Sequence, residues 1–315
     1  MRVLFADSNH PILHELLQAA GFSCDLLWDL DAASLIAAMP AYDALVIRSK
    51  FKIDKHIIDK CPRLVCIGRV GAGMENIDVA YAEKKGITCL HVPEGNRDAL
   101  GEHALGMLLM LLNHLKRADA EVRQGIWRRA ENRGTELGDK CVGIIGYGNM
   151  GKSFAKKLSG IGCRVLAYDK YLTAYSDQYA TACSLQQLFA EADVVSLHVP
   201  LTEETTYLMN AHFFSSFAKS VYVVNTARGK CLHTEALCAA LDSGQVLGAC
   251  LDVLEYESLS FENLSADKLP PAFTYLLQSD KVILSPHIAG WSHESNYKMS
   301  KILAEKMMVT LNAKS

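Results

Sequence analysis

The chain has 315 residues, of which 50% are hydrophobic and 21% charged, and its formal net charge is −3. Glycine and proline are not in excess, so the composition is typical of a globular protein with two domains, each having its own core. No block of lysine and arginine stands out. We therefore do not expect nucleic acid as a partner.

The ten cysteines could indicate a disulfide framework, but their positions favour buried, reduced thiols. No two of them form a C-x-x-C pair, and five lie in or beside apolar runs: Cys66, Cys89, Cys141, Cys163 and Cys250. Reduced thiols are typical of a cytoplasmic protein. The longest apolar stretch, residues 104–112, is too short to span a bilayer, so a membrane is not an expected partner.

The first hundred residues alternate short β-rich runs with amphipathic stretches, which predicts a parallel sheet covered by helices on both faces. The predicted strands are Val3–Ala6, Ser23–Trp28, Ala44–Ile47, Leu64–Ile67 and Ile87–Leu90, and the predicted helices are Pro11–Ala20, Ala32–Met39, Lys55–Cys61 and Asn76–Lys85. A long helix should then run from about Asp98 to Gly125. Its apolar first half suits a connector buried between domains or subunits.

From Val142 onward the same alternation predicts a second doubly wound sheet, of six strands. Its strands are expected at Val142–Gly146, Arg164–Tyr168, Val194–His198, Val221–Asn225, Leu247–Asp252 and Val282–Ser285, and its helices at Asn149–Ser159, Leu185–Ala190, His212–Phe217 and Thr234–Asp242. Residues 255–279 lack a clear period, so we interpret them as a long loop with at most one helical turn. A last amphipathic helix, Glu294–Leu311, is expected to pack on the first domain.

A glycine-rich turn, Gly146-Tyr147-Gly148-Asn149-Met150-Gly151, follows the first strand of this second sheet. In such a turn the first glycine permits the bend, the second lets the backbone approach a pyrophosphate, and the third lets helix pack on strand. Asp169 ends the next strand, where a carboxylate can accept from an adenosine ribose hydroxyl. Because this carboxylate repels a 2′-phosphate, the pattern predicts NAD rather than NADP. A lone Lys170 beside it is a weak phosphate clamp.

Polar residues follow three predicted strands at the edge where ligands bind to such sheets. Arg228 follows one strand, Asp252, Glu255 and Glu257 follow the next, and His287 follows the last. Each has an ordinary structural explanation when taken singly, but together they suit hydride transfer on a 2-hydroxy acid. The arginine is a two-pronged donor for a carboxylate or carbonyl oxygen, the histidine takes up the hydroxyl proton, and a carboxylate orients the imidazole.

The chain resembles the D-isomer-specific 2-hydroxyacid dehydrogenases over nearly its whole length. Besides the glycine turn, the resemblance rests on four runs: Leu197-His198-Val199-Pro200-Leu201-Thr202, Asn225-Thr226-Ala227-Arg228-Gly229, Leu251-Asp252-Val253 and Pro286-His287-Ile288-Ala289-Gly290. It implies that Arg228 is the catalytic arginine, His287 the acid/base and Glu257 its partner. The family places its acid five residues after the aspartate, but Ser258 replaces the usual proline and the stretch to His287 is longer than usual. Glu255 therefore stays open as an alternative partner.

The resemblance also implies which residues bind the cofactor and the substrate. Cofactor-binding residues would be Gly146, Gly148, Asn149, Met150, Gly151, Asp169, His198, Pro200, Thr205, Thr226, Ala227 and Asp252, the last facing the nicotinamide amide. Substrate-binding residues would be Arg48, Arg69, Ala72, Gly73, Asn96 and Arg228. Backbone N–H groups near residues 72–73 could hold a carboxylate. Two arginines in one site suit a dianion, as in 3-phosphoglycerate dehydrogenases, which act in serine biosynthesis.

These inferences combine into an α/β oxidoreductase with two doubly wound parallel-sheet domains and the active site in the cleft between them. Residues 1–98 and 288–315 are expected to form a flavodoxin-like substrate-binding domain, and residues 99–287 a Rossmann dinucleotide-binding domain. As in the family, the helix starting near Asp98 would contribute to a homodimer. The C-terminal regulatory domain of some phosphoglycerate dehydrogenases has no counterpart in this sequence.

Other functions stay open on the same machinery. A glyoxylate or hydroxypyruvate reductase would use the same residues on a smaller substrate. A formate dehydrogenase is disfavoured because it would carry glutamine in place of Glu257. An NAD(H)-sensing interaction protein on this scaffold could retain Arg228, Glu257 and His287. No metal is expected, because the histidines fall in no recognised ligand spacing.

Overall fold

The computed structural model describes residues 1–257 and 270–314. The chain forms two compact units, Met1–Asn96 with Trp291–Ser315 as one and Arg97–Gly290 as the other. Within the described ranges, every helix is too short or too polar to cross a membrane.

The first unit is built on a five-stranded sheet in which every strand pairing is parallel. Its strands are β1 (Arg2–Phe5), β2 (Ser23–Leu26), β3 (Ala44–Ile47), β4 (Cys66–Arg69) and β5 (Thr88–Leu90), and its helices are α1 (Ile12–Ala19), α2 (Ala32–Ala38), α3 (Lys55–Ile58) and α4 (Val79–Lys84). The spatial order β2-β1-β3-β4-β5 is that of the flavodoxin-like fold. The predicted flavodoxin-like sheet is therefore confirmed.

Alternate residues of this sheet enter two separate cores. In β3, Leu45 and Ile47 belong to one core, whereas Ala44 and Val46 belong to the other. Because helices cover both faces, all four residues are buried and the strand reads as a continuous apolar run. The last helix of the chain, α12 (His293–Ala313), supplies part of the second core, which confirms that it packs on this sheet.

The second unit is built on a seven-stranded parallel sheet. Its strands are β6 (Cys141–Ile145), β7 (Arg164–Tyr168), β8 (Thr181–Ala182), β9 (Val194–Leu197), β10 (Val221–Asn225), β11 (Val246–Leu251) and β12 (Val282–Leu284). The order β12-β11-β10-β9-β6-β7-β8 reverses direction between β6 and β9, as in Rossmann dinucleotide-binding sheets. Six of these strands are the predicted ones. The seventh, β8, is only two residues long and leaves no periodic signal.

The helices of the second unit include one correction to the prediction. They are α5 (Pro93–Leu112, which begins at the end of the first unit), α6 (Leu115–Arg123), α7 (Asn149–Leu158), α8 (Leu185–Glu191), α9 (Ala211–Ser215), α10 (Thr234–Ser243) and α11 (Pro271–Gln278). The single helix predicted over residues 98–125 is wrong. It is two helices, broken where His114 adopts a left-handed backbone with φ 51°. The amide of Thr135 donates to the carbonyl of Leu112, which satisfies the end of α5.

A second correction concerns the stretch predicted as a loop with at most one helical turn. Residues 258–269 lie outside the described residues, but the structure has the eight-residue helix α11 after them. Pro271 occupies its first position, where a fixed φ and a missing N–H do no harm. Phe273 and Leu276, three residues apart, are the side chains that α11 buries. Two buried positions are too few to give a recognisable period.

Candidate active site

The glycine turn after β6 has the backbone shape that its sequence predicts. Gly146 has φ 92°, and a Cβ at this position would lie 2.6 Å from the carbonyl oxygen of His198. A Cβ at Gly151 would lie 2.2 Å from the carbonyl oxygen of Gly146. Only glycine fits either position. By contrast, a Cβ at Gly148 would meet nothing within 4 Å, so the backbone of the turn is open to an incoming group.

Helix α7 begins at Asn149, directly after the open glycine, and includes Met150. Its first N–H groups have no partner within the helix, as at the start of any α-helix, and such groups can bind an anion. The side chain of Asn149 accepts a hydrogen bond from Arg97 Nη1 at 3.4 Å. Since β6 lies beside β9 at the reversal of strand order, this turn occupies the usual dinucleotide position of the fold.

Asp169, at the end of β7, is tied into the backbone around it. Its Oδ2 accepts from the amide of Tyr147 at 2.8 Å, and its Oδ1 accepts from the amides of Tyr171 and Leu172 at 2.9 and 3.1 Å. A carboxylate has about four acceptor positions. These three contacts fix the group next to the glycine turn and leave capacity on Oδ2 for a ribose hydroxyl.

The loop after β9 carries three more of the predicted cofactor residues. Nε2 of His198 forms a hydrogen bond of 2.9 Å with Ser196 Oγ. Burial lowers the pKa of the His198 imidazole to about 3. The ring is therefore neutral. Its Nδ1 is buried and has no hydrogen-bond partner among the described residues. Thr205 Oγ1 donates to the carbonyl of Pro200 at 2.6 Å, which closes the loop on itself.

The loop after β10 is held by Asn225, which is 1% exposed. Its Nδ2 donates to the carbonyl of Arg228 at 3.1 Å, and its Oδ1 accepts from the amide of Ala227 at 3.0 Å. Thr226, between them, has a buried hydroxyl without a partner among the described residues. The buried amide thus fixes the backbone from which the Arg228 side chain departs.

Gly229 brings the arginine loop against the next loop of the sheet. A Cβ at this position would lie 1.9 Å from the carbonyl oxygen of Leu254, so no other residue fits. The same Leu254 donates its amide N–H to Oε1 of Glu257. The backbone after Arg228 and the backbone before Glu257 are therefore in direct contact.

Glu257 and His287 form the central pair of the site. Oε2 of Glu257 lies 2.7 Å from Nδ1 of His287, and both side chains are largely buried. The rival acid, Glu255, is engaged elsewhere: it accepts from the hydroxyl of Tyr207 at 2.7 Å and from the hydroxyl and amide of Thr234. Burial raises the pKa of Glu255, but these hydrogen bonds outweigh it and hold the pKa below its usual value. Of the two acids, Glu257 is the one that meets the imidazole.

His287 has a left-handed backbone, with φ 55°, and the loop is fixed by Asp252. The amide of His287 donates to the carbonyl of Asp252 at 2.7 Å. The Asp252 carboxylate accepts from the amides of Ile288 and Ala289 at 2.9 and 2.8 Å and from the hydroxyl of Ser285 at 2.6 Å. Left-handed backbone is unfavourable for a residue with a Cβ, and persists where its surroundings impose it.

His103 completes this arrangement and was not anticipated from the sequence. Its Nε2 lies 2.9 Å from Ser285 Oγ and 3.5 Å from Asp252 Oδ1. Burial raises the pKa of Asp252, yet the hydrogen bonds from His103, Ser285 and two amides hold that pKa below its usual value. The sequence signal was weak: a histidine directly before the apolar second half of α5, in a stretch that also holds other polar residues.

The strand order brings the predicted catalytic residues to one edge of the sheet. β10, β11 and β12 are consecutive neighbours and parallel, so their carboxyl ends lie side by side. Arg228 follows β10, Glu257 follows β11 and His287 follows β12. A guanidinium, a carboxylate and an imidazole therefore share the edge that also carries the glycine turn. The chemistry they can perform is proton transfer beside an anion-binding group.

In the first unit, Arg48 lies in a loop that three side chains fix. Asp7 Oδ2 accepts from the amides of Arg48, Ser49 and Lys50 at 3.0, 3.1 and 3.2 Å. The carbonyl of Arg48 accepts from Asn76 Nδ2 at 3.0 Å and from Arg69 Nε at 3.3 Å. Arg48 follows β3 and Arg69 ends the neighbouring strand β4, so the two residues lie at the same edge of the first sheet.

The Arg48 guanidinium stacks on Trp291, with 4.2 Å between its carbon and the ring centroid. Trp291 is 66% exposed, and sequence reasoning did not single it out. The other predicted substrate residues lie later in the first unit. The carbonyl of Ala72 contacts His91 Nδ1 at 2.6 Å, Gly73 follows it, and Asn96 has a buried Oδ1 without a partner among the described residues.

Comparison with known proteins identifies the family. Residues 105–289 match the family model described as D-isomer specific 2-hydroxyacid dehydrogenase, NAD binding domain. The chain belongs to the D-isomer-specific 2-hydroxyacid dehydrogenase family. The resemblance inferred from the sequence runs is thus confirmed, and so is NAD as the cofactor. Gly148, the first turn of α7 and Asp169 fit that cofactor, because they offer an open backbone, unpaired N–H groups and a free acceptor.

Members of this family are similar to the chain over nearly all of it. D-3-phosphoglycerate dehydrogenase of Synechocystis sp. is 33% identical over 308 residues, covering 97% of this chain and 53% of the relative. Hydroxypyruvate reductase of Thermotoga maritima is 35% identical over 282 residues, covering 90% of this chain and 89% of the relative. The chain therefore spans about half the length of the phosphoglycerate dehydrogenase and most of the length of the reductase.

Solved structures of family members share the fold. D-2-hydroxyisocaproate dehydrogenase superposes with a TM-score of 0.85 at 26% identity, covering 100% of this chain and 97% of its own. D-lactate dehydrogenase from Aquifex aeolicus, complexed with NAD and lactic acid, gives 0.83 at 27% identity, covering 99% and 96%. These likenesses confirm the α/β class with two parallel sheets.

Proposed function

We propose that the protein is an NAD-dependent dehydrogenase that interconverts a D-2-hydroxy acid and its 2-keto acid. The observation that supports this most is the Glu257–His287 contact of 2.7 Å on strand ends next to that of Arg228. Residues 97–290 would act as the dinucleotide-binding unit and the remainder as the substrate-binding unit. The cofactor, when bound, accepts or supplies a hydride at C4 of its nicotinamide.

In this mechanism His287 takes the proton from the substrate hydroxyl during oxidation and returns it to the carbonyl oxygen during reduction. Because Nδ1 faces Glu257, the Nε2 atom is the one that exchanges the proton. The carboxylate stabilises the ring while it is positively charged. Arg228 would bind the substrate carboxylate and polarise the reacting oxygen through its two-pronged donor.

The cofactor would be held by the turn 146–151, by Asp169 at the adenosine ribose and by the loops after β9 and β10. His198, Pro200 and Thr205 would line one side, and Thr226 and Ala227 the other. Asp252 is proposed to face the nicotinamide amide, as the family resemblance implies. Its larger contribution is to hold the loop that carries His287.

We propose 3-phosphoglycerate and 3-phosphohydroxypyruvate as the substrate pair. Arg48 and Arg69 lie on neighbouring strand ends, and two guanidinium groups suit a phosphate better than a small neutral tail. The backbone at Ala72 and Gly73 and the side chain of Asn96, whose Oδ1 lacks a partner among the described residues, would complete substrate binding.

A panel of 2-keto acids with NADH tests this substrate. We expect kcat/KM for 3-phosphohydroxypyruvate to exceed that for hydroxypyruvate, glyoxylate and pyruvate by at least about tenfold, the effect of one charge-assisted contact. The substitution Arg48→Gln should remove most of that preference, whereas Lys50→Gln in the same loop should not. Equal values for the phosphorylated and unphosphorylated acids would contradict the proposal.

A hydroxypyruvate or glyoxylate reductase is the second candidate. It is favoured by one observation, the match to the Thermotoga maritima hydroxypyruvate reductase over 89% of its length. In this case the Arg48 guanidinium would contact only Trp291 and no substrate phosphate. Arg48 would then not distinguish phosphorylated from unphosphorylated acids. The same panel distinguishes the two, and turnover of none of these acids would favour an NAD(H)-sensing interaction protein.

We also propose a homodimer that uses the surface of α5 and α6. Leu109 and Met110 of α5 are partly exposed in this chain, while Leu115, Val122 and Trp127 are 53%, 53% and 76% exposed. So many large apolar side chains on one stretch are typical of an interface. A cytoplasmic location is proposed as well, because the cysteines of the described residues form no disulfide, as in a reducing compartment.

A further inference from the structure

Two residues beside Asp169 are tied to one acid on another loop. Lys170 Nζ contacts Glu204 Oε1, and the hydroxyl of Tyr171 donates to Glu204 Oε2 at 2.8 Å. Lys170 and Tyr171 directly follow Asp169, which is expected to accept the adenosine ribose hydroxyl. A single carboxylate therefore engages both side chains that could otherwise reach a group at that ribose.

The position of Glu204 in the fold gives this contact its meaning. Asp169 directly follows β7, Glu204 lies in the loop after β9, and β6 lies between those two strands. The Glu204 contacts therefore cross the end of β6, where the glycine turn begins. The Glu204 contacts therefore connect the loop after β7 with the loop after β9, and the turn that would bind the pyrophosphate lies between these two loops.

We propose that Glu204 is a second determinant of cofactor choice, which keeps Lys170 from binding the 2′-phosphate of NADP. In NADP-dependent members of the fold an arginine near this position accommodates the 2′-phosphate. A lysine there would supply a positive charge of the same sign. Lys170 is the cation placed there, and it is neutralised by Glu204. The ribose position therefore has two carboxylates, Asp169 and Glu204, and the phosphate would meet both.

Glu204 also fixes the geometry of Asp169 through Tyr171. The Tyr171 amide donates to Asp169 Oδ1 at 2.9 Å, while its hydroxyl donates to Glu204. Tyr171 is 79% exposed, so these two contacts, rather than burial, hold it in place. An isosteric glutamine at 204 can still accept from the Tyr171 hydroxyl, and it would remove only the charge that pairs with Lys170.

Equilibrium binding to the full-length protein tests this inference. In Glu204→Gln, we expect the dissociation constant of NADPH, measured by fluorescence titration, to fall by roughly three- to fivefold, the size of an exposed ion-pair contribution. The dissociation constant of NADH should change by less than about twofold, since the uncharged ribose hydroxyl makes no ion pair. The matched control is Glu203→Gln, an exposed neighbour whose loss of the same charge should leave NADPH binding unchanged.

A double substitution separates the proposed cause from a general loss of negative charge. Adding Lys170→Ala to Glu204→Gln should cancel the gain in NADPH affinity. The inference is overturned if Glu204→Gln leaves the NADPH dissociation constant unchanged, if Glu203→Gln improves it equally, or if the gain persists without Lys170. Because Glu204 is half exposed, the variant should keep the thermal unfolding midpoint of the parent protein.

Discussion

Oε2 of Glu257 lies 2.7 Å from Nδ1 of His287, and the two residues follow neighbouring parallel strands. This contact leaves Nε2 of the imidazole as the atom that can exchange a proton with a substrate. It also gives the pair an electrostatic role that can be measured, because the carboxylate stabilises the protonated ring.

Glu257→Gln should move the pH profile of the oxidative reaction to lower pH. Without its anionic partner the imidazolium is less stable, so the neutral ring that accepts the substrate proton prevails at lower pH. We expect the midpoint of the rise in kcat/KM to fall in this variant. The measurement is the initial rate of NADH formation between pH 6 and 10. Glu255→Gln is the matched control, and the same midpoint in Glu257→Gln and the parent would exclude Glu257 as the partner.

Asp252→Asn should destabilise the dinucleotide-binding unit in a pH-dependent way. The folded pKa of Asp252 lies below the ordinary 3.8, so its carboxylate contributes stability above pH 4 and loses that contribution as the pH falls through the folded value. At pH 7 we expect a loss of about 2–4 kcal/mol in the free energy of unfolding, because buried donors lose a charged acceptor.

Urea unfolding at pH 7, 5 and 3 measures this effect. The difference between Asp252→Asn and the parent protein should be largest at neutral pH and should shrink below pH 4. Asp242→Asn, which changes an exposed acid bound to Tyr275, is the control and should have a small effect at every pH. A difference that stays constant down to pH 3 would show that charge is not what Asp252 contributes.

Trp291→Ala should raise KM for the phosphorylated substrate and change kcat little. The indole holds the guanidinium of Arg48 at 4.2 Å from the ring centroid, and cation–π contacts at exposed sites contribute about 0.5–1 kcal/mol. We therefore expect a rise of roughly two- to fivefold in KM for 3-phosphohydroxypyruvate. Trp291→Phe keeps an aromatic face, so its KM for 3-phosphohydroxypyruvate should stay close to that of the parent protein. An equal change for glyoxylate would mean that the contact does not serve the phosphate.

Trp127→Glu should convert the proposed dimer to a monomer. A charge within an apolar interface is costly to bury without a partner. The measurement is the molar mass by light scattering after size-exclusion chromatography. Leu277→Glu, which places the same charge at a 48%-exposed leucine of α11, should leave the mass of a dimer unchanged. A parent protein that has the mass of a single chain would contradict the proposal directly.

The features predicted correctly from the sequence are those that depend on local rules. The turn at Gly146 and the strand ends at Arg228 and His287 follow from apolar periodicity and from a glycine pattern whose steric reason is visible in the structure. The two sheets follow from strand–helix alternation, which leaves few arrangements other than parallel ones.

The features missed depend on residues that are distant in the sequence. Asp7 fixes the Arg48 loop from 41 positions away, and His103 meets Ser285 across 182 positions. Neither has a local pattern. The break between α5 and α6 depends likewise on the returning amide of Thr135, and it cannot be inferred from helix propensity. The choice of Glu257 over Glu255 depended on the family spacing, and the structure supplies the contact that the spacing alone lacks.

The most direct test of the proposed mechanism is a single-turnover measurement of NADH oxidation by His287→Gln with 3-phosphohydroxypyruvate. Glutamine keeps a polar side chain of similar reach but cannot donate the proton as an acid. We expect the rate to fall by about 10²–10⁴-fold, the usual contribution of general acid catalysis, with the NADH dissociation constant unchanged. A variant that oxidises NADH as fast as the parent protein would contradict the assignment of His287 as the acid/base.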